Sequence, residues 1–272
     1  MPRPSPVTAP FIAALCGAAW LLAGGLGAAE SAGGADRDRE ARLAAEIEDA
    51  ILEGEPIYLE ADGQRFLGIH TASETAEPHQ AVLILHGRGL HPDWPNIVHP
   101  LRTALPADGW TSLAIQLPVL GKDAKYYDYV EIFPEALPRI DAALQYLHAQ
   151  GATRVVIIAH SCGAHMAMRW IAERGDAAID GFIGIGLGAT DYRQPMRQPF
   201  PLEGMRVPVL DIYGSEDHAG VQRMAPQRLA ALRSAGNVHS DQRRVAGADH
   251  DFQGAGELLL TEIRAWLAAL PR

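Results

Sequence analysis

Cysteine is almost absent from this chain of 272 residues, which holds only Cys16 and Cys162. Cys16 falls in an N-terminal segment that we expect to be cleaved off, so no internal disulfide could form in the remaining protein. The fold must then be stabilised by burial of its apolar residues, which make up 48% of the sequence, an ordinary fraction for a globular protein. We interpret Cys162 as a small buried residue, in preference to a reactive thiol.

Positive charge is also scarce, because 23 Lys and Arg face 33 Asp and Glu and give a formal net charge of -10. Phosphate groups are bound by basic surfaces, so the composition argues against a nucleic-acid partner. The HExxH motif is missing, and His86, His91, His160 and His165 show no recognised metal-ligand spacing. We therefore predict no metal site.

Long hydrophobic runs are confined to the N-terminus. Arg3 is followed by an apolar stretch over residues 11–22 and by small residues at 27–29. This order predicts a signal peptide over residues 1–29, cleaved near Ala29, and a periplasmic or secreted protein. An uncleaved membrane anchor is the alternative, but the stretch is short for a span. No later segment is apolar enough to cross a bilayer, so we expect no stable membrane span in the mature form.

Residues 30–55 are predicted to form a linker and an amphipathic helix. Within this segment Leu43, Ile47 and Ile51 recur at spacings of four, which places them on one face of a helix over residues 39–52. We expect this helix to pack on the outside of the domain that follows.

Residues 56–272 are predicted to form one α/β domain. It begins with a hairpin around Asp62-Gly63. Apolar strands then alternate with helices, which predicts a mostly parallel sheet covered on both faces. The predicted strands are 81–86, 110–117, 154–159, 182–187, 207–213 and 241–246, and the predicted helices are 97–105, 140–148, 162–173, 221–233 and 257–270. The connections 118–134 and 188–206 are long enough to shape a pocket but too short for a large lid domain.

The segment Ala159-His160-Ser161-Cys162-Gly163 carries the strongest functional signal. It follows an apolar strand and precedes a helix, which is the pattern of a nucleophile elbow. Such a turn holds the serine in a strained backbone conformation that only small neighbours tolerate. Ser161 is therefore the predicted nucleophile.

A serine hydroxyl needs a base and an acid that orients the base. Asp217 follows the strand 207–213 and is the preferred acid, with Glu216 as the substitute. Asp211 is a poorer choice because it lies inside the predicted strand.

The preferred base is His250, which follows the last strand and precedes the last helix. His218 is a weaker rival. The resulting order is Ser161, Asp217, His250, which is the order of triad residues in α/β hydrolases.

The oxyanion hole needs two backbone donors. We expect them to be the N–H of Cys162, at the start of its helix, and the N–H of Arg88, in the glycine-rich loop after the strand 81–86. Gly87, Gly89 and Trp94 are predicted to border the substrate pocket, although core packing is an equal alternative for Trp94. The Arg88 side chain is expected either to meet a substrate carboxylate or to be exposed to solvent.

From about residue 56 to the C-terminus, the chain resembles the α/β-hydrolase superfamily. The stretch His86-Gly87-Arg88-Gly89-Leu90-His91-Pro92-Asp93-Trp94-Pro95 is similar to a branch of exported bacterial proteins known as a domain of unknown function. The resemblance to the superfamily implies an eight-stranded sheet, a serine nucleophile and no cofactor. Ala159 departs from the superfamily pattern, which has glycine there, but alanine is still small.

The predicted function is hydrolysis of carboxylic esters or thioesters through an acyl-enzyme, with a small-molecule substrate of small or medium acyl length. A peptidase or dienelactone-type hydrolase would share the same machinery. A catalytically silent α/β-hydrolase fold that serves as a binding or cell-envelope protein is the alternative from another class. Labelling with a fluorophosphonate separates the active from the silent protein.

Overall fold

The computed structural model describes residues 1–2, 34–75, 79–191 and 194–271. The chain divides into two compact units, Met1–Ala32 and Gly33–Arg272, and every helix and strand of the described residues lies in the second. The predicted signal peptide, its cleavage position near Ala29 and Cys16 fall outside the described residues, apart from positions 1 and 2. No helix among the described residues has the length and hydropathy that a membrane span requires.

Eight strands form one central sheet. In chain order they are β1 Glu55–Ala61, β2 Gln64–Thr71, β3 Gln80–Leu85, β4 Trp110–Ile115, β5 Arg154–His160, β6 Gly181–Ile185, β7 Val209–Gly214 and β8 Asp241–Val245. Across the sheet the order is β1-β2-β4-β3-β5-β6-β7-β8. β1 and β2 form the predicted antiparallel hairpin, β2 runs antiparallel to β4, and the other neighbours are parallel. The predicted α/β fold with a mostly parallel sheet is confirmed.

Seven α-helices lie in the described part of the chain. They are α1 Arg37–Glu48, α2 Val98–Ala104, α3 Tyr126–Ile132, α4 Leu137–Ala149, α5 Cys162–Arg174, α6 Ala219–Ala235 and α7 Gly256–Ala269. Short 3-10 turns at Leu105–Asp108, Phe133–Ala136 and Leu202–Gly204 complete the connections.

The core has two apolar layers because successive side chains of a strand point to opposite faces of the sheet. On β5, Val155 and Ile157 pack in the layer that contains residues of α3, α4 and α5. Val156 and Ile158 pack in the layer that contains residues of α2 and α7. Strands buried on both faces read as continuous apolar runs, which is why the sequence pattern located them.

The N-terminal helix differs from its prediction in extent and in burial. α1 ends before Ile51, and Leu43 and Ile47 are only half-buried. Glu40 is buried on the inner face instead, because its carboxylate accepts a 2.7 Å hydrogen bond from Nη2 of Arg139. An apolar spacing pattern does not reveal a helix that is docked by a buried ion pair.

The predicted connection 118–134 is also more structured than expected, since it contains α3. The helix begins after Lys125, whose backbone N–H donates to the Asp128 carboxylate at 2.8 Å. Its seven residues bury Tyr126, Tyr129 and Ile132, a pattern too short to identify from periodicity. In the described residues of the connection 188–206, the only helical element is the turn Leu202–Gly204.

Candidate active site

The tight turn between β5 and α5 has the geometry of a nucleophile elbow. Ser161 has φ 51° and ψ -117°, outside the regions that L-residues ordinarily occupy. A Cβ atom at Gly163 would overlap the backbone carbonyl oxygen of His86, so only glycine allows α5 to approach β3 this closely. Ala159 is completely buried, and its single methyl group is accommodated.

The structure brings the three predicted triad residues into one hydrogen-bonded chain. The Ser161 hydroxyl lies 2.8 Å from Nε2 of His250, and Nδ1 of His250 lies 2.6 Å from Oδ1 of Asp217. Asp217 follows β7 and His250 follows β8, and both side chains are buried. With Nδ1–H donating to the carboxylate, Nε2 is left as the acceptor for the serine proton.

Two neighbours fix the position of His250. A Cβ atom at Gly186, where φ is 64°, would lie 2.7 Å from the Cε1 atom of His250, so the ring occupies space that only glycine leaves. His160 donates from Nε2 to the carbonyl oxygen of His250 at 3.1 Å. Complete burial holds the pKa of His160 well below its usual range, so its ring is neutral and carries one proton.

The two expected oxyanion donors are backbone N–H groups beside Ser161 and in the loop after β3. Within the described part of the chain, neither the Cys162 N–H nor the Arg88 N–H donates to another residue. Arg88 shares its peptide with the carbonyl group of Gly87, which accepts a 2.8 Å hydrogen bond from Nδ1 of His86. Burial lowers the pKa of His86 to about 3, so the ring is neutral, and its Nε2 accepts from the Leu117 N–H at 2.9 Å. Burial also raises the pKa of Cys162 to about 12, which makes this side chain an unreactive thiol.

A cavity of about 240 Å³ opens beside Ser161, and Trp94 lies in its wall as predicted. The predicted pocket residues Gly87 and Gly89 do not line this cavity, whereas Arg88 and Leu90 do. A Cβ atom at Gly87 would lie 2.8 Å from His160, and one at Gly89 would lie 3.2 Å from Arg39. Both glycines therefore leave room for other protein side chains and not for a substrate.

Most of the chain also matches a known protein family. The chain matches the family described as a protein of unknown function, DUF3530, over residues 26–128 and 132–269. The chain belongs to the DUF3530 family. The predicted resemblance to an α/β-hydrolase branch known as a domain of unknown function is thereby confirmed. No curated protein shows significant sequence similarity to this DUF3530 chain.

Solved structures share the fold at low sequence identity. A lidless α/β serine hydrolase from Xanthomonas campestris has a TM-score of 0.58 at 17% identity, covering 82% of this chain and 97% of its own. An α/β serine hydrolase homologue from Coxiella burnetii has a TM-score of 0.57 at 18% identity, covering 81% and 99%. An esterase from Pyrococcus furiosus has a TM-score of 0.62 at 16% identity, covering 82% and 94%. These similarities establish the α/β-hydrolase fold of the DUF3530 chain.

The Arg88 side chain is exposed to solvent, one of its two expected positions, and it also has a partner within the protein. It is 37% exposed and forms a two-pronged ion pair with Asp191, at 2.5 and 3.0 Å. The Tyr126 N–H at the start of α3 donates to the same carboxylate at 2.5 Å. Partial burial alone would raise the pKa of Asp191, but the guanidinium and the amide outweigh it and lower that pKa. Sequence reasoning missed Asp191, whose only signal was its place in the connection 188–206.

The other candidate acids and bases stand outside the hydrogen-bonded chain. Asp211 pairs with Arg228 at 2.7 Å within the core, and Glu216 is exposed. His218 stacks on His250, with ring centroids 4.2 Å apart and planes inclined by 24°. Partial burial and the neighbouring His250 lower the pKa of His218, so a neutral ring borders the site without touching the serine hydroxyl.

Proposed function

We propose that this DUF3530 protein is a serine hydrolase of carboxylic esters or thioesters. One observation carries the proposal: the continuous hydrogen-bonded chain from the Ser161 hydroxyl through His250 to Asp217, at 2.8 and 2.6 Å. A serine hydroxyl becomes a strong nucleophile only when a base within hydrogen-bond reach can take its proton. The hydrogen-bond distances of the predicted acid and base support this role.

In the acylation step, Ser161 attacks the carbonyl carbon of the substrate while Nε2 of His250 takes the hydroxyl proton. The imidazolium that results is stabilised by the Asp217 carboxylate, which remains ionised. The same proton then passes from His250 to the leaving alkoxide or thiolate. The products of this step are a serine-bound acyl group and a free alcohol or thiol.

The negative charge on the carbonyl oxygen develops next to the N–H groups of Cys162 and Arg88. Cys162 is the first residue of α5, so the partial positive charge at the helix N-terminus adds to the stabilisation. In the deacylation step, His250 activates a water molecule by the same proton transfer, and the acid is released. No cofactor is required for either step.

Substrate size follows from the space beside the nucleophile. A cavity of about 240 Å³ beside Ser161 accommodates small or medium acyl groups. The fold similarity to a serine hydrolase without a lid and to an esterase supports this assignment. We therefore place small-molecule acyl esters and thioesters ahead of long-chain lipids.

Labelling with a fluorophosphonate tests the proposal, since the reagent modifies only an activated serine. Wild-type protein should label stoichiometrically, Ser161→Ala should not label, and His250→Ala should label slowly. Ser234→Ala is a suitable control because this exposed serine lies on α6. Failure of the folded wild-type protein to label would overturn the proposal and favour a silent binding or cell-envelope protein.

Export is part of the same proposal. Residues 1–29 have the charge, apolar stretch and small residues of a signal peptide, which would place the enzyme in the periplasm or outside the cell. The intact mass of protein purified from the native compartment should correspond to a chain that begins near Glu30. A full-length mass would contradict cleavage.

A further inference from the structure

A side chain from the N-terminal helix reaches the loop that follows β3. Arg39, in the first turn of α1, donates from Nη2 to the carbonyl oxygen of Gly89 at 2.9 Å. Its Nη1 donates to the carbonyl oxygen of Leu120, in the loop that follows β4. The family match begins at residue 26 and therefore includes this helix. An element that precedes the hydrolase sheet thus contacts the backbone beside the proposed oxyanion hole.

Other contacts already hold α1 against the domain. Arg37 pairs with Glu135 and with Glu40, and Glu40 accepts a buried hydrogen bond from Arg139 at 2.7 Å. These ion pairs lie on different residues from the Arg39 contacts. Docking of α1 therefore does not depend on Arg39 alone. The contact between Arg39 and Gly89 can serve another purpose than holding the helix in place.

The loop from Gly87 to Leu90 is a turn closed by a hydrogen bond from the Leu90 N–H to the Gly87 carbonyl at 3.3 Å. Gly89 has φ 69°, as the third residue of a type II turn requires. In a trans peptide the C=O and N–H groups point in opposite directions. In the Gly87–Arg88 and Gly89–Leu90 peptides, the carbonyl group therefore accepts a hydrogen bond on one side and the N–H group points to the other.

These contacts form a continuous relay. The Arg39 guanidinium donates to the Gly89 carbonyl, whose peptide presents the Leu90 N–H to the Gly87 carbonyl. The Gly87 peptide in turn presents the Arg88 N–H to the proposed oxyanion hole. Hydrogen bonds in such a chain polarise one another, and a charged donor at one end strengthens the effect.

We propose that Arg39 is a positioning residue for the oxyanion hole, which it orients and polarises through the two intervening peptide groups. The inference rests on the proposed hydrolase function. In this role α1 contributes to catalysis and does more than precede the hydrolase domain. The cation stands at the far end of the relay from the developing negative charge, so its effect is largest in the transition state.

The experiment compares Arg39→Ala with two controls on the same helix. Arg37→Ala removes ion pairs that dock α1, and Arg42→Ala removes an exposed arginine. The measurements are kcat and KM for p-nitrophenyl acetate, the rate of fluorophosphonate labelling, and Tm. Direct removal of an oxyanion donor lowers kcat about 10²–10³-fold. Arg39 acts on the donor only through intervening peptide groups, so we expect Arg39→Ala to lower kcat about tenfold with little change in KM.

Chemical rescue provides a readout that a purely structural role would not move. Methylguanidinium at millimolar concentration should restore part of the kcat of Arg39→Ala and leave both control variants unaffected. Arg39→Lys should keep part of the activity, because an ammonium group supplies charge but cannot bridge two carbonyl groups with the same planar fork.

The outcomes separate this inference from the proposed function. If the wild-type protein neither labels nor hydrolyses esters, the proposed function has failed. If the wild-type protein is active and Arg39→Ala keeps the same kcat as Arg42→Ala, the positioning role is overturned. The role would also be overturned if Arg37→Ala lost as much kcat as Arg39→Ala for the same fall in Tm, and if methylguanidinium did not rescue Arg39→Ala.

Discussion

The two sides of the candidate active site are built by different means. On the triad side, three side chains that follow β5, β7 and β8 form one hydrogen-bonded chain. On the oxyanion side, the expected donors are two backbone N–H groups, that of Cys162 at the start of α5 and that of Arg88 in a turn whose carbonyl groups accept hydrogen bonds from His86 and Arg39. The difference shows that the His250 side chain is positioned by direct neighbours such as Gly186 and His160, whereas the Arg88 N–H is positioned by side chains that do not line the cavity.

The largest effect is expected when the triad side loses the carboxylate of Asp217. Asp217→Asn should lower kcat by about 10³–10⁴-fold, because the amide stabilises the wrong tautomer of His250 and cannot stabilise its charged form. Steady-state kinetics on p-nitrophenyl acetate measure the loss. Glu216→Gln, a change at the exposed neighbour, should leave kcat unchanged. Equal effects of the two variants would remove Asp217 from the triad.

On the oxyanion side, the backbone should matter more than the side chain. Arg88→Pro removes the N–H while keeping a residue that suits the second position of a type II turn, and should lower kcat about 10²–10³-fold. Arg88→Ala removes the ion pair with Asp191 but keeps the N–H, and should cost less than about tenfold by the same reasoning. Similar losses in both variants would mean that the guanidinium, and not the amide, acts in the reaction.

A glycine tests whether the triad side also depends on backbone shape. Gly186→Ala places a methyl group against the His250 ring at a residue with φ 64°, and should lower kcat by about 10–10²-fold through misalignment. Gly204→Ala is the matched control, because nothing lies within 4 Å of a Cβ atom there. Wild-type kinetics in Gly186→Ala would show that the ring can move without cost.

The buried histidines His86 and His165 should lower the free energy of unfolding in acid. Burial lowers the pKa of His86 to about 3 and that of His165 to about 4, from an unfolded value of 6.5. Between each lowered pKa and 6.5, the unfolded chain binds more protons than the folded protein. The free energy of unfolding is therefore fully present above pH 6.5. It falls as the pH falls below that value, by about 1.4 kcal/mol per pH unit for each group.

Urea denaturation at several pH values between 5 and 7 measures this slope. His165→Gln keeps a side-chain donor for the carbonyl oxygen of Ala189 but cannot titrate, and should flatten the slope by about one proton. An unchanged slope in this variant would mean that His165 does not control the acid lability.

The extent of sequence-based prediction differs between the same two sides. The apolar runs located the strands, and the Ser161, Asp217 and His250 assignments followed from residue types at strand ends, which the structure brings within hydrogen-bond reach. The roles of Gly87 and Gly89 were misread, because a glycine pattern marks close approach without saying which neighbour approaches. Arg39, distant in sequence and placed by a helix whose buried face carries Glu40, left no local signal at all.

The backbone of Ser161 has a further consequence. Conformations as sparsely populated as φ 51°, ψ -117° cost about 1–3 kcal/mol each and persist only where the surrounding structure enforces them. Glycine occupies positive φ without this cost, so Ser161→Gly should release the strain and raise Tm, while it removes the hydroxyl on which the proposed turnover depends.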